Sequence, residues 1–234
     1  MRDFHFILMD LDDTVLDFHK AEHESLIKTL REYGYELTEE DVARYSAINA
    51  WHWKQLELGV FTREQVLVGR FARFLLTLGS DADAEAVCRR YEYGLRFEPH
   101  LMPGAKECLT ALKAAGKQLY AVSNGSTAVQ ESRLALSGLD AYFDGVFVSE
   151  HMGAEKPTTA YFDKVFAAIP GFEKEHACIV GDSLSSDIKG GKNAGITTIW
   201  LRPYHGTHEA NADVDVEISS LSELVPLLLG NPSK

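Results

Sequence analysis

The sequence predicts an α/β protein: a parallel sheet with helices on both faces, carrying a block of four helices inserted after its first strand. Three observations carry this. Phe6-Ile7-Leu8-Met9 is an unbroken apolar run that breaks into Asp10, Asp12 and Asp13, as a buried strand does where it ends at the ligand-binding edge of an open sheet. The stretch from about His19 to Phe97 keeps a helical pattern throughout. From Pro103 onward, strand-like and helix-like segments alternate, the signature of repeated βαβ units.

In order, the first strand is followed by candidate helices at His19–Tyr33, Glu39–Glu57, Thr62–Leu78 and Asp81–Phe97. Gly34, Gly59 and Gly79 mark their ends. Thr38-Glu39-Glu40-Asp41 and Thr62-Arg63-Glu64-Gln65 are helix starts, and the second fits a capping box. Beyond Pro103 the expected elements are helix Ala105–Ala115, strand Leu119–Ser123, helix Ala128–Ser137, strand Gly145–Ser149, helix Ala160–Ala168, strand Ala177–Gly181, helix Ser185–Ala194 and strand Thr197–Leu201. Val214–Ile218 could add a strand and Leu221–Leu229 a closing helix. This divides the chain into a core of residues 1–16 and 99–234 and a helical cap of residues 17–98.

Composition narrows the function. The 234 residues are 45% hydrophobic and 25% charged, ordinary for a soluble globular protein. A formal net charge of -12 argues against nucleic-acid polymers and anionic membranes as partners, since both are polyanions that select basic surfaces. A small phosphorylated metabolite remains compatible, because local cations can invert the field inside a pocket. Cys88, Cys108 and Cys178 lack CxxC spacing, so they read as buried reduced thiols. Asp3 and Asp10 interrupt the amino terminus too early for a signal-peptide apolar region, so a cytoplasmic location is expected.

Four groups of residues sit at expected strand ends. Asp10 and Asp12, two apart on a strand, point the same way, and clustered carboxylates need a cation or a shared proton. The same Asp12-Asp13-Thr14 could equally be a turn with a helix cap. Ser123-Asn124-Gly125 offers a hydroxyl and backbone N–H groups to a phosphate, or simply forms a turn. Lys156, fixed ahead of Pro157, could balance the acidic residues or be a solvated loop lysine. Gly181-Asp182 repeats the apolar-to-acidic break, and Asp187 follows where a helix dipole favours a carboxylate even without function. Tyr204-His205-Gly206-Thr207-His208 lacks the further ligands a metal site needs and reads as a surface loop.

Taken together, Asp10-x-Asp12-x-Thr14, Ser123-Asn124, Lys156-Pro157 and Gly181-Asp182-x-x-x-x-Asp187 resemble the haloacid dehalogenase superfamily across essentially the whole chain. The resemblance implies a Rossmann-like core with a helical cap. A finer resemblance, to the pyrimidine 5'-nucleotidase group called YjjG-like, rests on Ile48-Asn49 through Trp53, Glu57 and Gly59, on Ser123-Asn124-Gly125 with Arg133-Leu134, and on Gly190 to Gly195 followed by Trp200. It implies a phosphatase for a nucleoside 5'-monophosphate. Asp10 would be the nucleophile and Asp12 the general acid and base. Mg²⁺ would be held by Asp10, Asp182 and the main chain of Asp12. Ser123 and Asn124 would bind phosphoryl oxygens, and Lys156 would neutralise both Asp10 and the phosphoryl group, with Asp187 orienting Lys156 or a metal-bound water. Phe18, Trp51 and Trp53 could stack on a base or pack between helices.

Other activities share this constellation. A phosphoglycolate or sugar-phosphate phosphatase would differ only in the cap. A 2-haloacid dehalogenase needs no acid at Asp12, because halide leaves unprotonated. A phosphosugar mutase differs in the lifetime of its phospho-enzyme, and a silent binding protein should have lost part of the set.

Overall fold

In the computed structural model, residues 3–203 and 214–230 are described, which leaves the Tyr204–His208 stretch outside them. In chain order the elements are β1 (Phe6–Met9), α1 (Phe18–Glu32), α2 (Glu39–Glu57), α3 (Arg63–Thr77), α4 (Ala84–Leu95), α5 (Ala105–Ala114), β2 (Gln118–Ser123), α6 (Thr127–Ser137), β3 (Gly145–Val148), α7 (Ser149–Met152), α8 (Thr159–Ala168), β4 (Ala177–Gly181), α9 (Lys189–Ala194), β5 (Thr197–Leu201), β6 (Val216–Ile218) and α10 (Leu221–Leu229). The chain divides into two compact units, residues 1–17 with 99–234 and residues 18–98.

In the first unit the six strands run parallel in the order β3-β2-β1-β4-β5-β6. β1 lies between two strands made much later in the chain, with Met9 level with Ala121 on one side and Val180 on the other. That register brings the carboxyl ends of β1, β2 and β4 side by side. Alternate side chains of each strand enter opposite faces. Ile7, Met9, Leu119, Cys178 and Val180 pack with Leu109 of α5 and Leu224 of α10, whereas Phe6, Leu8, Tyr120 and Ile179 pack with Tyr161, Phe162 and Val165 of α8. With both faces covered, the strands are apolar throughout, which is why they read as unbroken runs in the sequence.

Two local differences from the sequence reading bear on the site. The Asp12-Asp13-Thr14 segment is a turn and not a helix cap: the N–H groups of Val15 and Leu16 both bond to the Leu11 carbonyl, and α1 starts only at Phe18. Asp13 has φ 55, a left-handed conformation that aspartate tolerates better than most residues. Second, the helix expected at Ser185–Ala194 is split into a wide π-turn at Leu184–Ile188 and then α9. The cause is Asp187, whose carboxylate accepts a hydrogen bond from the Ser183 N–H and is drawn back toward the strand end. A Cβ on Gly181 would lie 2.3 Å from that carboxylate, so glycine there makes room for it. Such π-turns recur at functional sites.

The second unit, residues 18–98, holds α1 to α4. Both α2 and α3 begin with a full capping box, Thr38 with Asp41 and Thr62 with Gln65, where the sequence pointed only to the second. Its interior contains Leu26, Leu30, Tyr45, Val66, Phe71, Phe74, Val87 and Tyr91, and also a polar network. Glu22 accepts hydrogen bonds from Ser46 and from Asn49 at 2.7 Å. Arg70 donates to Asn49 at 2.9 Å and to Glu92 at 2.5 Å, and its guanidinium lies 5.2 Å from the rings of Phe71 and Tyr91. Of the aromatic residues flagged in the sequence, Phe18 and Trp53 are half-buried and Trp51 is exposed, edge-on to Phe61 and under Arg73.

Candidate active site

The strand order decides where the acidic residues meet. Asp10 directly follows β1, its N–H bonded to the Val180 carbonyl of β4. Ser123 ends β2, and Asp182 directly follows β4. One side of the Asp10 carboxylate is taken by Lys156, whose Nζ donates to Asp10 Oδ1 at 2.6 Å, to Asp187 Oδ1 at 2.6 Å and to the Val122 carbonyl at 2.9 Å. Three acceptors satisfy the ammonium completely. Burial works against its charge, and the Asp10 and Asp187 carboxylates more than offset this, holding Lys156 above the usual lysine range.

The acids are less well balanced. Asp10, Asp182 and Asp187 present carboxylate oxygens within 4.8 Å of one another, and the Lys156 ammonium donates to two of them, Asp10 and Asp187. Burial, reinforced by the Asp187 charge, pushes Asp10 up to about 8 against the opposing pull of Lys156. Burial and the charges of Asp10 and Asp187 raise Asp182 as well. Both oxygens of Asp187 are engaged, one by Lys156 and one by the Ser183 N–H. Asp182 has its main-chain carbonyl fixed by the Trp200 indole N–H at 2.7 Å, while its carboxylate meets no hydrogen-bond donor among the described residues. A cluster of hard carboxylate oxygens with excess negative charge suits a small divalent cation.

The remaining residues named from the sequence divide in two. Ser123 is buried at the same strand mouth, its Oγ accepting from the Gly125 N–H at 3.0 Å. Asn124 uses its side-chain amide on the main chain of Lys156, donating to the carbonyl and accepting from the N–H, both at 2.9 Å. It therefore sets the position of Lys156 from across the loop. The carboxylate of Asp12 is not part of the acidic cluster but faces α6, where Arg133 Nη1 lies 2.5 Å from Oδ1 and Gln130 Nε2 lies 2.6 Å from Oδ2. Sequence reasoning did not single out Gln130, and met Arg133 only within a family pattern. The available signal was their spacing of three on one helix following the Ser123 loop.

A family model for haloacid dehalogenase-like hydrolases matches residues 7–201. The chain belongs to that family. It is 37% identical to the pyrimidine 5'-nucleotidase PynA of Streptococcus pneumoniae, over 96% of this chain and 95% of that one. It is 30% identical to the pyrimidine 5'-nucleotidase YjjG of Escherichia coli, over 95% and 97% of the two chains. A crystal structure of Bacillus subtilis YfnB bound to magnesium superposes with a TM-score of 0.91 at 37% identity, over 97% of this chain and 99% of that one. The protein is accordingly an enzyme of the phosphatase type within the haloacid dehalogenase-like hydrolases. No helix among its described residues is long and apolar enough to cross a membrane.

Proposed function

We propose that the enzyme is a Mg²⁺-dependent phosphatase that hydrolyses a small phosphate monoester, foremost a nucleoside 5'-monophosphate, through an aspartyl-phosphate on Asp10. The observation that carries this reading is the Lys156 ammonium seated between Asp10 and Asp187, beside an Asp182 carboxylate that no donor meets among the described residues. Mg²⁺ would be held by Asp10, Asp182 and the main-chain carbonyl of Asp12, and it supplies positive charge that lets an anionic nucleophile and an anionic substrate share one site. Asp187, with both oxygens engaged, holds Lys156 in place.

In the first step an oxygen of Asp10 bonds to phosphorus in line with the ester oxygen. The P–O ester bond breaks, and Asp12 donates a proton to the departing alkoxide. In the second step Asp12 takes a proton from water, which attacks phosphorus and releases inorganic phosphate and the Asp10 carboxylate. Lys156 neutralises Asp10 and the phosphoryl group throughout. Ser123 and the loop that begins with Asn124 face the phosphoryl oxygens, where fixed donors matter most because charge accumulates there.

A nucleotide substrate is supported by the two pyrimidine 5'-nucleotidase relatives. The core residues above act only on the phosphoryl group and the ester oxygen, so the choice of leaving group lies outside them. A cytoplasmic setting suits three free, buried thiols. The deciding experiment is phosphate release with Mg²⁺ from a panel of pyrimidine and purine nucleoside monophosphates, sugar phosphates and phosphoglycolate, with Asp10→Asn as control. Highest kcat/KM on pyrimidine monophosphates is the expected result. Preference for phosphoglycolate or a sugar phosphate would remove the nucleotidase reading and keep the phosphatase.

A further inference from the structure

Asp12 is held by two side chains of α6. Each of its carboxylate oxygens has its own donor, Arg133 for Oδ1 and Gln130 for Oδ2, and both donors are buried, with Gln130 1% and Arg133 0% exposed. The same Gln130 Nε2 lies 2.9 Å from Ser123 Oγ. One amide therefore ties the aspartate after β1 to the serine that ends β2. Gly125 supports the arrangement independently. Its φ is not in the left-handed region, so the backbone does not demand glycine, yet a Cβ there would lie 2.5 Å from Gln130 Nε2 and 3.0 Å from its Cδ and Cγ. The missing side chain leaves the space that Gln130 occupies.

We infer that Gln130 and Arg133 are positioning residues for proton transfer by Asp12. Arg133 anchors the carboxylate, and Gln130 fixes its distance from Ser123, so the group that serves the ester oxygen and the group that serves the phosphoryl oxygens keep one geometry. This rests on the reading of Asp12 as general acid and base. Displacing an acid by about 1 Å is enough to cost on the order of 100-fold in rate. The loss should fall on substrates whose leaving oxygen needs a proton.

The test compares an alkyl ester, a nucleoside 5'-monophosphate, with an aryl ester, p-nitrophenyl phosphate, at saturating Mg²⁺. Gln130→Met removes the amide at similar volume. Gly125→Ala displaces Gln130 from outside and serves as the second route, because wholly buried Arg133 tolerates change least. Each variant should lose kcat on the alkyl ester by about 100-fold and on the aryl ester by less than about 10-fold, with KM little changed. Adding Gln130→Met to Asp12→Asn should cost nothing further, since a residue that acts through Asp12 has nothing left to position. Equal losses on both esters, or a double variant slower than Asp12→Asn alone, would overturn the inference and leave Gln130 as packing for the Ser123 loop. If Asp12→Asn itself lost equally on both esters, the failure would lie in the acid role of Asp12, and the inference would fall with it.

Discussion

Two groups of charged side chains, one in each unit, show how a candidate site differs from a scaffold. Within residues 18–98, Glu22, Asn49, Arg70 and Glu92 form a chain in which each charge meets a partner, and the Arg70 guanidinium also lies over aromatic faces. At the strand mouth, Lys156 is fully satisfied by Asp10, Asp187 and a main-chain carbonyl, but Asp182 crowds against the same two carboxylates, and its own carboxylate meets no donor among the described residues. Buried polar networks are stable when complete. The incomplete one is the candidate site, where a cation would offset the crowded carboxylates.

The sharpest way to break the comparison is to alter the mouth and see chemistry, not stability, respond. Asp10→Asn should reduce phosphate release by about 10⁴-fold or more while thermal unfolding in metal-free buffer stays cooperative and no less stable. Retained turnover would place the nucleophile elsewhere. EDTA should abolish activity and added Mg²⁺ restore it; full activity in EDTA would remove the metal from the proposal. Mg²⁺ at 100 times its Kd should add about 2.7 kcal/mol to stability, and Asp182→Asn should erase that gain.

In the network of residues 18–98 the response should invert. Arg70→Met leaves Glu92 and Asn49 without their donor and should cost about 3 kcal/mol of stability, with kcat of the remaining folded enzyme nearly unchanged. A large fall in kcat with an unaltered melting temperature would show that this network is more than scaffold.

A smaller effect separates the two states of the mouth by pH. Asp10 is raised from an ordinary value of 3.8 to about 8, and Asp182 is raised too. Carboxyl groups raised on folding contribute stability that is fully present below their unfolded values and is lost as pH rises through the folded ones. Metal-free protein should therefore lose stability between about pH 4 and pH 8, and saturating Mg²⁺ should flatten that slope. A metal-free stability that rises across this window would contradict the crowding of carboxylates.

That Asp10, Ser123 and Asp182 come together was readable in the sequence because they lie where apolar strands stop. Asp10, Ser123 and Asp182 each end such a run, and a parallel sheet brings those ends together. What could not be read was anything set by side-chain direction across the fold. That Asp12 turns toward α6 depends on Gln130 and Arg133, more than a hundred residues away, and Gly125 in sequence looks like any turn glycine. The π-turn at Leu184–Ile188 was hidden for a similar reason. Its local sequence suits an α-helix, and only the pull of Lys156 and the Ser183 N–H on Asp187 widens it.

The placement of β1 has a consequence for how the enzyme comes into being. Phe6 pairs with Gln118 on one side and with Ala177 on the other, so the central strand waits for partners that the ribosome delivers much later. Closing such long loops is slow. Until Cys178 and its neighbours emerge, β1 lacks one of its two edges, and Asp10 stands at the end of an unfinished sheet. The nascent chain thus carries Asp10 well before β2 and β4 are made, and Asp10, Ser123 and Asp182 come level only once the later strands have joined β1.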